Sequence, residues 1–452
     1  MRILLSIFLS LFFTACFARL ELPKEPTINE AKDLNVSYEW YKAYENEKIN
    51  KIISYVLQNN SEINTARTAL LSALARADLI NYDLYPTLSA NLGYNTSKNL
   101  NSGISSDNFN NNLNLSYELD IFGKIRASVS ASEFSAKASA YDLKNLEISM
   151  VNTALNSIFE LAYFNDVEKL LKEYISNLEE LNKLYSLKYT LGKIEELDLL
   201  NIEQSLLKAR QNLINNEANK NLLVKNLQDL LGDKAGFLLI DDLYTLSLQD
   251  FKTLSPNFNI PLSIFAYRLD ISSTLNKLKS AFKDYEAMQK SILPSISLGS
   301  GLSGSDESFK DSFKFEILNS NIKISLPFLD YGRVRQNVKI SQFAYEELLI
   351  VYKQSLQSAI NEFELNRKDY ESNLLLLQNL QISNAKQELI TKAYYEKYTL
   401  GKSELKDFLD ANNALNSSKQ ELLRARFNLL KTINSYYKIT FYDENLEYNF
   451  KF

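Results

Sequence analysis

Histidine is absent from this chain and cysteine occurs once, at Cys16. Those two absences exclude zinc sites built on His and Cys, Ser-His-Asp and Cys-His nucleophilic catalysis, and any disulfide within the chain. Turn-makers are scarce: 11 Gly and 7 Pro in 452 residues lie well below the usual ~7% and ~5%. So few breaks over such a length predict long elements with few connections. A basic excess is missing as well. The net charge is −5, which leaves nothing to neutralise a phosphate backbone, so nucleic acid is not an expected partner. No phosphate-binding glycine loop occurs, no cofactor or metal is expected, and the chain does not read as an enzyme. What is present, 45% hydrophobic and 23% charged residues, is the composition of a folded protein with a sizeable buried area.

Long hydrophobic runs are also lacking. Arg2 precedes an apolar stretch from Ile3 to Phe13, too short to span a bilayer and suited to an export signal over residues 1–15. The sequence Phe13-Thr14-Ala15-Cys16 resembles a bacterial lipobox, with Phe13 where Leu is usual. Cleavage before Cys16 would let its thiol carry a lipid anchor; a plain secretory signal is the alternative. Beyond Phe13 no charge-free stretch reaches the ~18 residues a membrane helix requires. If the mature protein crosses a membrane, it must do so as a β-barrel.

A repeat organises the rest. Lys188-Tyr189-Thr190-Leu191-Gly192-Lys193 recurs as Lys397-Tyr398-Thr399-Leu400-Gly401-Lys402, 209 residues later. Phe122-Gly123-Lys124-Ile125-Arg126 aligns with Tyr331-Gly332-Arg333-Val334-Arg335 at the same spacing, and Tyr85-Pro86-Thr87-Leu88-Ser89 with Leu293-Pro294-Ser295-Ile296-Ser297 at 208. Two homologous halves, 57–231 and 265–441, are therefore expected, joined by a linker at 232–264 with Pro256 and Pro261, preceded by a segment 16–56 and followed by a tail 442–452.

Within each half the hydrophobic period changes in the same order. Leu88, Ala90, Leu92 and Tyr94 alternate with polar neighbours, as do Leu113, Leu115, Tyr117, Leu119 and Ile121. The second half repeats this with Ile296, Leu298 and Leu302, then Phe313, Phe315, Ile317, Ile322, Ile324, Leu326 and Phe328. Strands are expected at about 86–97, 109–121, 294–303 and 313–328, apolar on one face and polar on the other. A membrane barrel with a watery lumen needs such strands, and a soluble sheet packed against a helix gives the same alternation. After Gly123 and Gly332 the period becomes helical for some 65 residues, about 100 Å at ~1.5 Å per residue. Beyond each Tyr-Thr-Leu-Gly-Lys turn a second helix returns, with Leu199, Ile202, Leu206, Ala209 and Leu213 at coiled-coil spacing. The fold class expected is mainly α with a transmembrane β-barrel portion.

Four strands cannot close a barrel, which takes about eight or more. Oligomerisation resolves this, since three copies supply twelve strands. The duplicated architecture, the junction Glu118-Leu119-Asp120-Ile121-Phe122-Gly123-Lys124-Ile125-Arg126, the run Ser325-Leu326-Pro327-Phe328 and the two glycine turns with their following Asp residues resemble the TolC/OprM family of outer membrane efflux ducts over nearly all of the mature chain. The resemblance implies a homotrimer whose twelve-stranded barrel sits in outer membrane lipid, a long α-helical barrel in the periplasm, and an equatorial belt built partly by the linker and termini. It implies a periplasmic adaptor and an inner-membrane pump as partners, and a passive role in conducting small toxic compounds. It also implies a periplasmic gate in which Asp407 and Asp410 line the constriction, Asp198 tethers it, and Tyr398 and Lys402 hold the inner helices to their neighbours. Type I protein secretion uses similar ducts, and a lipid-anchored coiled-coil spacer or adaptor would also be helical and exported.

Overall fold

The computed structural model describes residues 20–23 and 37–442; Cys16, the signal segment and residues 443–452 lie outside them. In the first half, α1 (Glu47–Asn59) and α2 (Ser61–Asn81) lead into β1 (Thr87–Lys98) and β2 (Ser105–Leu119), then α3 (Lys124–Thr190) and α4 (Glu196–Leu231). After α5 (Lys234–Asp241) the order recurs as α6 (Leu269–Lys290), β3 (Ser295–Asp306), β4 (Ile317–Ser325), α7 (Tyr331–Thr399) and α8 (Leu405–Thr440). Helices α3 and α7 hold 67 and 69 residues, rods of about 100 Å at ~1.5 Å per residue. Among the described residues no helix is long and apolar enough to cross a membrane.

The four strands form one antiparallel sheet in the order β1-β2-β3-β4. The repeat extends to register: Ala90 faces Leu113 in the first hairpin and Leu298 faces Ile322 in the second. Those pairs are related by the same 208- and 209-residue offsets as the motifs. One face of the sheet carries Leu88, Leu92, Leu115, Leu298, Leu318 and Ile322; the other carries Ser89, Asn91, Asn112, Asn114 and Ser297. A sheet packed against its own helices would bury the first set, yet Leu88 remains 66% and Ile322 71% exposed. The apolar face is therefore not covered by the chain's own helices, which leaves it free to face lipid.

The expected strand 313–328 is shorter at both ends. Asp311–Phe313 is a 3-10 turn, and Phe313 and Phe315 belong to the β3–β4 loop. This loop folds back across the outer face, where the Nδ2 of buried Asn111 donates to Ser312 Oγ at 2.6 Å. Gly304 permits the approach, because a Cβ there would lie 2.0 Å from the Ser312 carbonyl oxygen. Phe309 packs edge-on against both Phe109 and Phe313. At its other end β4 stops at Ser325, and Pro327–Asp330 forms another 3-10 turn, since proline cannot donate to a ladder.

Each junction launches a helix differently. Gly123 takes a left-handed φ of 73°, and the Asp120 carboxylate turns back to accept from the backbone N–H groups of Ile125 and Arg126 and from Arg126 Nε. Burial alone would raise the Asp120 carboxyl; the Arg126 N–H and guanidinium and the Ile125 N–H outweigh it and hold the group below its usual range. Gly332, by contrast, lies inside α7.

Beyond the junctions the helices pack in two storeys. In the storey nearer the sheet, α3 lies between α2 and α6, and α6 contacts α7. Serine and alanine dominate the start of α3 and allow close approach, with Ser280 Oγ donating to the Ala131 carbonyl at 2.7 Å. In the far storey α3 lies between α4 and α8, and α8 contacts α7. Where the storeys meet, a collar wraps α3. The segment 232–264 packs there: α5 and the 3-10 turns Asp242–Thr245 and Leu248–Asp250 bring Ile240, Leu243, Leu248 and Phe251 into one core with Trp40, Tyr44, Ile52 and Phe159. Trp40 Nε1 donates to Asn434 Oδ1 at 3.0 Å, and Asn434 Nδ2 donates to the Asn152 carbonyl at 3.0 Å, so the collar is pinned by a satisfied polar pair inside apolar surroundings.

A lipid-facing outer surface predicts an asymmetric response to charge. Leu115→Arg should lower the yield of membrane-inserted protein, at a cost of ~2–4 kcal/mol if the site is at mid-bilayer, whereas Asn114→Arg on the opposite face should insert nearly as well as the parent. Equal yields of heat-modifiable protein from outer membrane fractions would refute the assignment of faces.

Candidate functional site

The end of the far storey holds every residue that the sequence singles out beyond Cys16. Both helical hairpins turn by the same chemistry. Gly192 and Gly401 adopt φ of 64° and 68°, and the N–H groups of Lys193 and Lys402 donate back to the carbonyls of Lys188 and Lys397 at 2.9 and 2.8 Å. This is the Schellman closure, which satisfies carbonyls at a helix end and favours glycine in the left-handed position.

Close to these turns a cluster of apolar and aromatic side chains draws together four helices. Leu178 and Tyr185 from α3, Ile202 and Leu206 from α4, and Leu405, Phe408 and Leu409 from α8 are buried against each other, with Tyr398 of α7 at the edge. Tyr185 Oη donates to Tyr398 Oη, and Lys188 Nζ donates to the same Tyr398 oxygen at 3.3 Å. Lys188 also lies over the Tyr185 ring at 4.9 Å, a cation–π contact, while Phe408 stacks on Tyr398 with centroids 6.4 Å apart and planes at 16°. Deeper along the hairpins Tyr174 Oη donates to Asn413 Oδ1. Burial pushes the Tyr398 phenol up and takes that of Tyr174 to about 12, so both hydroxyls stay protonated at physiological pH. The result is a clasp that ties the tip of α3 to the tip of α7 across α8.

The acids lie beside this clasp and outside it. Asp407 and Asp410 are exposed on α8, three residues apart and so on one face. Asp407 Oδ2 accepts from Ser403 Oγ at 3.0 Å. Asp410 lines a groove of about 600 Å³ between α4 and α8, together with Asn201, Gln204, Lys406 and Asn413. Asp198 occupies the first turn of α4 as Asp407 occupies that of α8, and the two are repeat counterparts, 209 residues apart. Lys402 is exposed in the turn. Of the five residues expected at this site, then, only Tyr398 enters the clasp. Its partners Tyr185, Lys188 and Phe408 were not evident from sequence, although the repeat carried a signal: Tyr185 and Lys188 recur as Tyr394 and Lys397. The hairpins are laced by equivalent ion pairs in both halves, Arg210–Glu179 at 2.7 Å and Lys419–Glu388 at 3.7 Å.

A sheet that turns its apolar face outward, carried on rods of about 100 Å whose far tips are held side to side, defines a channel-forming export protein with a membrane end and a periplasmic end. The chain belongs to the outer membrane efflux protein family, whose sequence model matches residues 52–233 and 263–440. It is an outer membrane efflux duct that extends into the periplasm. It is 29% identical over 407 residues to toxin and drug export protein A of Aggregatibacter actinomycetemcomitans, covering 90% of this chain and 89% of that one. To the pyoverdine export outer membrane protein OpmQ of Pseudomonas aeruginosa it is 24% identical over 427 residues, 91% and 88% of the two chains. Among solved structures, the CmeC outer membrane channel of Campylobacter jejuni superposes with a TM-score of 0.80 at 23% identity, covering 93% of each chain.

The clasp makes a local prediction. Tyr398→Phe removes the shared oxygen and should cost about 1 kcal/mol, roughly a fivefold rise in local opening. Hydrogen exchange should accelerate by that factor in the amides around Leu187–Gly192 and Lys397–Gly401, and unchanged exchange there would show that the hydroxyl contributes nothing.

Proposed function

We propose that this duct works as a homotrimer in a tripartite system, receiving small toxic compounds from an inner-membrane pump through a periplasmic adaptor and conducting them passively outward. The observation that carries the reading is the sheet: it has an outward apolar face and two unpaired edges, β1 and β4, and it continues into helices long enough to reach far into the periplasm. Three copies close the edges into twelve strands. If the β2–β3 pairing is carried forward by the repeat offsets, the pair Leu113–Leu302 becomes Ile322 beside Tyr94 of the partner subunit, again on the apolar face. Deleting the gene should raise intracellular accumulation of dyes and antibiotics, and re-expression should reverse it. The name of the Aggregatibacter relative joins toxin to drug export, which favours a second reading as a secretion exit duct. Unchanged accumulation with loss of a secreted toxin would select that reading over the first.

Anchoring by acyl chains on Cys16 belongs to the same proposal, supported by Thr14-Ala15-Cys16 and by the lack of any other thiol. In the complemented strain, Cys16→Ser should abolish labelling by a clickable fatty acid while the barrel still inserts; retained label would refute it.

The tip is the proposed gate. Asp407 and Asp410 form rings at the narrow mouth, Asp198 tethers it at the equivalent position of the other hairpin, and Tyr398 and Lys402 hold the inner helices to their neighbours. Rings of carboxylates favour cations and bind multivalent ones. Asp407→Ala with Asp410→Ala should therefore reduce cation selectivity and block by trivalent cations in single-channel recordings. Acids that only favour a helix start would leave both properties at the parent level.

A further inference from the structure

The polar face of the sheet is nearly devoid of charge, and its charged residues share one end. Asn91, Asn95, Asn112, Asn114, Asn319 and Asn321 present carboxamides on that face, interspersed with serine and glycine. Only two strand residues on it are charged, Glu118 of β2 and Lys323 of β4. The other charged strand residues, Lys98, Asp107 and Asp306, fall on the opposite face by register.

Glu118 and Lys323 lie in one cross-strand row, each opposite Ser297 of β3, about 10 Å apart at two strand spacings. The row is at the end of the sheet that continues into the long helices. What holds the two residues differs. Glu118 Oε1 accepts from Lys124 Nζ at 2.8 Å, so its charge is balanced at the junction. Lys323 is exposed and makes no hydrogen bond or ion pair among the described residues. The acids of the two junctions are taken as well, Asp120 by Arg126 and Asp330 by Arg333, both at 3.0 Å. The strand face therefore carries one unbalanced positive charge per copy. Its neighbours are neutral and lie against the wall: a Cβ at Gly299 or Gly301 would come within 2.5 or 2.7 Å of Oδ1 of Asn321 or Asn114, so these carboxamides rest over the glycines.

We propose that Lys323 is the charge filter of the barrel: three copies form a basic ring at its inner end, the wall beyond is electroneutral, and cargo carrying a carboxylate or phosphate is concentrated there. The inference rests on the trimeric reading above and names a substrate class for it. Closing the copies by the edge pairing already described sets Lys323 beside Gly93 of the partner subunit, which has no side chain to neutralise it. A lysine ring attracts anions as carboxylate rings attract cations, and an amide-lined wall neither holds nor repels by charge what has entered.

The test uses full-length protein in outer membrane vesicles, a parent carrying Cys16 alone as background, and methanethiosulfonate reagents of similar size, one cationic and one anionic. The ratio of their rates at an introduced thiol, divided by the ratio for free 2-mercaptoethanol, reports the local potential whatever the tip selects. At Asn112→Cys that ratio should stay within about twofold of the reference. At Ser297→Cys the anionic reagent should be favoured about fivefold in 0.1 M salt, and the preference should shrink in 1 M salt. Adding Lys323→Gln should return Ser297→Cys to the reference, whereas Lys323→Arg should keep the preference. A reference ratio at Ser297→Cys with Lys323 present, a preference for the cationic reagent there, or a preference that survives Lys323→Gln overturns the filter. Leu113→Cys, on the apolar face, should react with neither reagent. If it reacts as fast as Asn112→Cys, or native mass gives a monomer, the trimeric barrel falls and the filter with it.

Discussion

In hydrocarbon a backbone amide has no water to fall back on, and each unpaired one costs several kcal/mol. A four-stranded sheet with an apolar outer face has two edges, so it cannot stand alone in a bilayer. The rest of this molecule is arranged around that constraint. The sheet is made of two hairpins of equal register, joined by β2–β3 pairing, so the two hairpin boundaries are versions of one boundary and β2–β3 is a second kind. A seam between copies can then repeat a seam within the chain, and the helices below inherit the same spacing. The loop that crosses the apolar face covers Asn111, a polar residue in an otherwise apolar row, and accepts its side-chain hydrogen bond at Ser312.

Rods of such length are not stabilised by helix propensity alone, because in a folded protein most of a helix's stability comes from the apolar face it packs against its neighbours. Here α3 is buried along most of its length, but by different partners in the two storeys. The exchange occurs at the collar, where Trp40, Asn434 and the 240–251 turns surround its middle. The collar therefore fixes where one set of neighbours stops and the next begins, and the separation between the membrane end and the clasped tip follows from that placement.

At the tip a few polar contacts join an apolar cluster that draws four helices together. Two tyrosines and a lysine hold α3 to α7 beside exposed acids. Hydrogen bonds near solvent are worth about 1 kcal/mol net, so these contacts add specificity to the tip rather than most of its stability. Catalysis is not needed for such a role, since a duct acts through shape and access.

Much of this was legible in the sequence, and for a physical reason. The duplicated motifs, the two-residue period of Leu88–Tyr94 and Leu113–Leu119, and the glycine turns at Gly192 and Gly401 depend on local backbone preference and on one repeated face, both of which are written along the chain. Other features required the tertiary structure. Phe313 and Phe315 alternate as strand residues do, yet they leave the sheet because Ser312 finds Asn111, some two hundred residues earlier. The 232–264 segment carries its apolar residues at no sustained period, so only the middle of α3 gives them a common surface. Tyr185 and Lys188 became a site because α7 delivers Tyr398 to them across α8, whereas their equivalents Tyr394 and Lys397 lie at an open edge. Sequence determined the elements and their duplication; which of two identical-looking positions is buried was decided by packing, since burial depends on a neighbour that the local sequence does not name.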